Sequence, residues 1–435
     1  MNYQAEYEAK RTSAEALAAQ VQSGWLIGMD AGAAQTPTIM SAIAERARKD
    51  EIAGVKVQTL LDVYPLEYLA DNSLFGKLTS EAWFSGGGSR RAVNGGYGDI
   101  IPNYYRDIPK YIRGMYDYDV FCVSVSPMDR HGYFSLSTVS SYSPAMMEKA
   151  RRIFLEVNDH QPRAVCGAQV HISQVDGLIE VSHELPVLLP PTKIDAISET
   201  IGGLIAERIA DGSCIQLGIG AIPDAVGAAL KQKHDLGIHT EMFTDSMVEL
   251  IQCGAVNNSK KQIHRGQTVT TFAFGSKRIY DYIDDNPGIA LLPVDYVNDP
   301  NVICRNDNMI SINAALEVDL WGQVCAESVG TKHMSGSGGQ VDYVRGACQS
   351  KGGKSFIAFT STAKGDTISK IKSTLTPGAV VTTSKNDVDY IVTEYGVAHL
   401  RGEPLSRRAK QLIAIAHPNF RDELSFEAKK RGILI

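Results

Sequence analysis

The chain has 435 residues, 44% of them apolar and 21% charged, which is the composition of a folded protein rather than a disordered one. Forty-three basic residues against forty-nine acidic ones leave a net charge of −6, without the basic excess of a nucleic-acid binder. An anionic small ligand stays possible, because a nest of backbone N–H groups binds one even on an acidic protein. At about 150 residues per domain, two or three domains are expected.

The first ten residues are polar and acidic, with no basic stretch leading into an apolar core, so no signal peptide is expected there. No apolar run reaches the roughly 18 residues of a membrane span. The seven cysteines (Cys122, Cys166, Cys214, Cys253, Cys304, Cys325 and Cys348) are scattered, odd in number and form no C-x-x-C pair. They read as reduced thiols of a cytoplasmic protein, with neither a disulfide framework nor a zinc site.

In chain order, a helix is expected from Ser13 to Gln22. Gly24-Trp25-Leu26-Ile27-Gly28 then leads to Pro37 and a helix from Thr38 to Arg48. Ser85-Gly86-Gly87-Gly88-Ser89-Arg90-Arg91 is a glycine loop with two guanidiniums, suited to a carboxylate or phosphate if it is more than a solvated loop. Strands are expected at Val120–Val125 and Ile153–Val157. The stretch from Glu184 to Thr192 holds three prolines, which suit a stiff linker rather than a helix or central strand. With that linker at 186–194, an N-terminal domain would span 1–185 and a C-terminal domain 195–435.

The second half opens with a helix from Ala196 to Ala210 and a strand from Ile215 to Ile219. Gly218-Ile219-Gly220-Ala221-Ile222-Pro223 then precedes a helix from Asp224 to Gln232. Its glycines allow close backbone approach and aim N–H groups at an anion, or serve only the turn. It is not a dinucleotide fingerprint, since Pro223 stands where the third glycine belongs. Glu241, in Gly237-Ile238-His239-Thr240-Glu241-Met242, falls at a strand end beside that loop. A strand at Ile289–Leu292 follows. Ser335-Gly336-Ser337-Gly338-Gly339-Gln340-Val341-Asp342 reads as a surface loop or a second donor nest. His239, His333 and His399 lack metal-ligand spacing.

The two halves echo each other. Pro37 precedes Asp129 by 92 residues, and Pro223 precedes Asp319 by 96, each pair following the same succession of strand, helix and strand. Strand–helix alternation repeated in this way predicts a duplicated α/β domain with open, largely parallel sheets. Ligands in such folds bind at the carboxyl ends of the strands or between the halves.

Leu217–Val226, Gly237–Met242 and Gly338–Ala347 together strongly resemble the acetyl-CoA hydrolase/transferase family of class I CoA-transferases. Within it the chain looks most like the 4-hydroxybutyrate CoA-transferases and the butyryl-CoA:acetate CoA-transferases. Glu156-Val157-Asn158-Asp159, Phe274–Asp281 and Val392-Thr393-Glu394-Tyr395-Gly396 extend the likeness over nearly the whole chain. The resemblance implies two similar open α/β domains and ping-pong transfer of CoA between a short-chain acyl-CoA and a small carboxylate. It places the catalytic glutamate at Glu241, which would form a glutamyl-CoA thioester. It implies oxyanion or orienting roles for Gln216 and Asn313, CoA contacts at Gly218, Gly220, Gly338 and Gly339, and acid-substrate contacts at Met29, Tyr64, Arg90 and Arg91. It implies no metal and no required cofactor beyond coenzyme A itself, as substrate and transient covalent adduct, and it implies a homo-oligomer.

One departure bears on the acid. The family's single arginine followed by glycine is here Arg90 followed by Arg91. The extra guanidinium would suit a dicarboxylic acid such as itaconate or succinate, unless Arg91 faces solvent or pairs with Asp99. Acyl-CoA hydrolysis is the alternative activity under the same family name, and a non-catalytic CoA-binding regulator is an alternative of a different class.

Overall fold

The computed structural model describes residues 3–188 and 193–434. Residues 189–192, in the middle of the expected linker, lie outside them. The chain divides into two compact units, Met1–Leu188 with Val269–Val297, and Leu189–Thr268 with Asn298–Ile435. The segment 269–297, assigned to the C-terminal domain by linear reading, therefore belongs to the first unit. Its strand and helix pattern is local and reads the same whichever sheet it serves.

The first unit is built on seven strands: β1 (Leu26–Met29), β2 (Val55–Leu60), β3 (Leu78–Phe84), β4 (Asp99–Ile100), β5 (Val120–Val125), β6 (Ile153–Asn158) and β7 (Gly177–Val181). Their order is β4-β3-β2-β1-β5-β6-β7, and every pairing is parallel. β5 and β6 are buried along their whole length, as a sheet covered on both faces requires. Helix α1 (Pro37–Arg48) has Pro at its first turn, where the missing N–H costs nothing. It buries Ile39, Met40, Ile43, Ala44 and Ala47 against a core that includes Ile27, Val55, Val57 and Val120. Burying each large aliphatic side chain contributes about 1.5–3 kcal/mol before conformational entropy is subtracted. Helix α2 (Gly87–Gly95) starts inside the glycine loop. The helix expected at Ser13–Gln22 runs from Ala14 to Ala19, where Ser13 caps it by accepting from Ala16 N at 3.2 Å.

The second unit opens with helix α3 (Ala196–Ala206), capped by Asp195. Its sheet contains β8 (Cys214–Leu217), β9 (Gly237–Ile238), β10 (Met309–Ala314), β11 (Lys354–Ala358), β12 (Tyr390–Thr393) and β13 (Gly396–His399). The order is β9-β8-β10-β11-β12-β13, parallel except for the final hairpin. Helix α4 (Ala221–Leu230) follows β8, and helix α5 (Gln340–Gln349) precedes β11. The α4 helix takes in Ala221 and Ile222 ahead of Pro223, which is tolerated because it sits in the first turn.

The two sheets share one winding. In each, the first strand lies between the second strand and a later one, β1 between β2 and β5 and β8 between β9 and β10, giving β2-β1-β5-β6-β7 and β9-β8-β10-β11-β12. This is the duplication expected from the sequence. The switch points fall after β1 and after β8. Among the described residues, no helix is long and apolar enough to cross a membrane, and all seven cysteines are free thiols.

Candidate active site

Glu241 lies three residues beyond β9 in the second unit. Its Oε2 accepts a hydrogen bond from Asn298 Nδ2 at 2.7 Å, and the carboxylate also accepts from the backbone N–H of Gly339. Gly339 is the N-cap of α5, so the carboxylate faces the positive end of a helix. Both contacts favour the anion, yet burial outweighs them and raises the carboxyl from 4.5 to about 7. A carboxylate that is poorly solvated and held in place by neutral donors suits nucleophilic attack. Gly339 must be glycine: a Cβ there would overlap both Glu241 Oε2 and Asn298 Nδ2.

The strand leading to Glu241 is fixed from below. Lys261 is buried, and its Nζ donates to the carbonyls of Ile238 at 2.8 Å and Gln267 at 2.6 Å. Burial lowers its ammonium to about 8. Tyr343, on α5, is buried with its hydroxyl pKa pushed far up by burial and by the Glu241 charge.

Gln216 and Asn313 are brought together, but with each other. Asn313 Nδ2 donates to Gln216 Oε1 at 3.3 Å, Ile312 N donates to the same oxygen at 3.2 Å, and Gln216 Nε2 faces Ile312 O and Asn313 Oδ1 at 3.4 Å. They brace the ends of the paired strands β8 and β10. The hydrogen bond that orients Glu241 comes from Asn298 instead. Of the first glycine loop, Gly218 gives its N–H to Ile312 O at 3.0 Å, while Gly220, at φ +111°, starts α4 without a side-chain cap. The first-turn amides of α4 thus have no competing cap. Gly338 sits at φ +56° before Gly339, at the head of α5.

The acid-substrate candidates all belong to the first unit. Met29 is fully buried at the end of β1, and its carbonyl accepts from Tyr142 Oη at 2.8 Å. Tyr64 sets its hydroxyl 3.4 Å from Ala33 O and its ring edge-on to His183, with centroids 5.8 Å apart. The glycine loop is not an open anion nest. Asp62 fills it, accepting from Gly86 N at 2.9 Å, Gly88 N at 2.7 Å, Ser89 N at 3.3 Å and the Ser89 hydroxyl. Arg90 is partly buried, and among the described residues its Nε has no hydrogen-bond partner and its guanidinium no ion pair. Arg91 is exposed and forms no ion pair among the described residues, with Asp99 or any other carboxylate.

The motif at Glu156–Asp159 builds the scaffold. Glu156 is fully buried on β6 and accepts from Thr38 N at 3.1 Å, Thr38 Oγ1 at 3.0 Å and Ile39 N at 3.2 Å, which caps α1. His183 Nε2 completes the set at 3.1 Å.

Asn298, Lys261 and Asp62 escape sequence reading. Asn298 is one polar residue before an Asp299-Pro300 helix start, a pattern that signals only a cap. For Asp62 there was a partial signal: a carboxylate just past a strand end, with a glycine-rich helix start still needing an acceptor.

A model described as the acetyl-CoA hydrolase/transferase N-terminal domain matches residues 1–190, and one described as the C-terminal domain matches 275–428. A succinyl-CoA:cyclohexane-1-carboxylate CoA transferase of Geobacter metallireducens is 47% identical over 99% of this chain and 97% of its own. A 4-hydroxybutyrate coenzyme A transferase of Clostridium kluyveri is 42% identical over 99% of this chain and all of its own. The crystal structure of RipA from Yersinia pestis superposes with a TM-score of 0.94 at 37% identity, each chain being covered in full.

Proposed function

The chain belongs to the acetyl-CoA hydrolase/transferase family, and from that premise we propose that Glu241 is the nucleophile of a ping-pong CoA transfer. The enzyme is a CoA-transferase for short-chain acyl-CoA and small carboxylates. The observation that carries the finer reading is a carboxyl raised to about 7, held by Asn298 and by the head of α5.

In the first step a Glu241 carboxylate oxygen attacks the thioester carbon. The C–S bond breaks, CoA leaves as thiolate, and an acyl-glutamyl anhydride remains. The thiolate then attacks the Glu241 carbonyl carbon, the bond from that carbon to the bridging oxygen breaks, and the first acid leaves as carboxylate, carrying the bridging oxygen with it. The product is a glutamyl-CoA thioester. An incoming carboxylate attacks that thioester, expels CoA thiolate and forms a new anhydride. The thiolate then takes the new acyl group and restores Glu241. No proton is consumed, and the acyl-transfer free energy of the thioester is never lost to water. Each tetrahedral oxyanion needs donors, and one good donor is worth about 2.7–4 kcal/mol. The uncapped amides at the head of α4, with the Gly338-Gly339 turn, supply them and hold CoA.

Arg90 receives the carboxylate of the acid substrate. Its Nε–H is buried without a partner, and an unsatisfied buried donor of a guanidinium favours taking up a carboxylate oxygen. A dicarboxylate would need Arg91 for its second carboxylate, and Arg91 is exposed, so a monocarboxylate is the favoured acid.

The test is to incubate the protein with butyryl-CoA, and separately with succinyl-CoA, without an acceptor acid. Peptide mass spectrometry then looks for a CoA adduct on the Glu241 peptide. An adduct, absent from Glu241→Ala, is expected. Steady CoA release without an adduct would overturn the covalent reading in favour of hydrolysis.

A further inference from the structure

We propose that Asp62 is a positioning residue that holds Arg90 ready for the acid substrate; this rests on the role given to Arg90 above. The loop Ser85–Ser89 looks like an anion nest, but three of its amides are already engaged. Gly86 N reaches Asp62 Oδ1 at 2.9 Å, Gly88 N reaches Oδ2 at 2.7 Å, and Ser89 N lies 3.3 Å from both oxygens. The Ser89 hydroxyl donates to Oδ1 as well. A side chain of the chain itself therefore occupies the place of a bound anion at the head of α2, where the helix dipole favours it. The fit is close: a Cβ on Gly86 would meet the Asp62 carbonyl oxygen and come within 2.7 Å of its carboxyl carbon.

Two consequences follow for Arg90, the next residue along α2. Its backbone N–H bonds Gly86 O at 3.2 Å, so Arg90 closes the first turn that Asp62 holds. The Asp62 oxygens are taken up by main-chain amides and a hydroxyl, and among the described residues this carboxylate forms no ion pair with the guanidinium. Asp62 also lies two residues before Tyr64. A single carboxylate thus fixes both the start of the helix bearing Arg90 and the segment bearing Tyr64, and leaves the arginine charge available.

The test separates the two half-reactions. For Asp62→Asn, an amide group would face the loop N–H donors and loosen the turn. The KM for the acceptor acid should rise about tenfold, the scale of a modest misplacement of a binding group. Formation of the Glu241 adduct from acyl-CoA alone should stay within about twofold. Arg90→Gln should raise the same KM, and the double variant should be no worse than Arg90→Gln alone. Ser89→Ala, which keeps every amide, should give a smaller change in the same direction, and it carries the test if Asp62→Asn does not fold. Equal damage to adduct formation and acid KM would overturn the proposal, since a purely structural loss strikes both. Multiplying effects of the two variants would also overturn it. If the wild-type protein forms no adduct, the functional reading itself fails. If the adduct forms but Arg90→Gln leaves the acid KM unchanged, the assignment of Arg90 fails, and the role of Asp62 with it.

Discussion

Asn298 Nδ2 donates to Glu241 Oε2 across 2.7 Å, joining two side chains that are 57 residues apart in the chain. The contact favours the charged form of a carboxyl that burial holds at about 7. Asn298→Ala should therefore push that carboxyl higher still. A hydrogen bond to a charged group is worth about 1.5–3 kcal/mol, or roughly tenfold to a hundredfold in the ionised fraction or in rate. As the proposed nucleophile, Glu241 must be ionised, so adduct formation should rise with pH through about 7 in the parent. In the variant the same limb should move to higher pH. Stopped-flow release of CoA across the pH range would check this, and an unmoved limb would contradict it.

Gly339→Ala tests the close approach of α5. The new methyl group would overlap the Glu241 carboxylate, so the nucleophile must rotate away. Adduct formation should fall by at least about a hundredfold, the cost of a displacement near 1 Å. Because the collision involves flexible side-chain ends, the fold should survive, with a melting temperature within a few degrees of the parent. A variant that kept full adduct formation would show that the Gly339 contact is incidental.

How much of this was legible in the sequence depends on the range of the interactions. The two open sheets and the glycine-led helix starts are written in local period and turn residues, and the repeat of Pro37 and Pro223 marks the duplication. Glu241 stands out in the sequence because a motif surrounds it. Asn298 does not, since only folding brings it to Glu241, and Asn313, to which the resemblance gives an orienting role, bonds Gln216. The loop at Ser85–Arg91 shows the converse limit of local pattern. Its composition was that of an anion site, but the anion is Asp62, supplied by another crossover.

The pair formed by His183 and Glu156 predicts a stability change near neutral pH. The hydrogen bond to Glu156 raises the histidine above its ordinary 6.5. A raised value in the folded state means that the contribution is complete below the unfolded value and fades as pH rises through the folded one. His183→Gln should thus cost more thermal stability at about pH 5.5 than at about pH 8.5. Melting curves at both pH values would check it. An equal loss at both would mean that the ring acts only by packing against Tyr64.

Asp30 should give a pH dependence of its own. It is fully buried beyond β1, where it accepts from Ser143 Oγ at 2.6 Å and from Ala31 N at 2.8 Å. Burial outweighs both contacts and raises the carboxyl from 3.8 to about 7. The folded protein therefore binds this proton more tightly than the unfolded chain does. The resulting stabilisation is complete below about pH 4 and is lost progressively up to about pH 7, above which the difference stays constant. Asp30→Asn removes the titration while keeping the shape and an oxygen for Ser143. Denaturant unfolding of the variant should show a shallower decline between those limits, and at about pH 8 it should match or exceed the parent in stability, since no buried charge must form. Parallel stability curves for parent and variant across that range would mean that Asp30 does not titrate there.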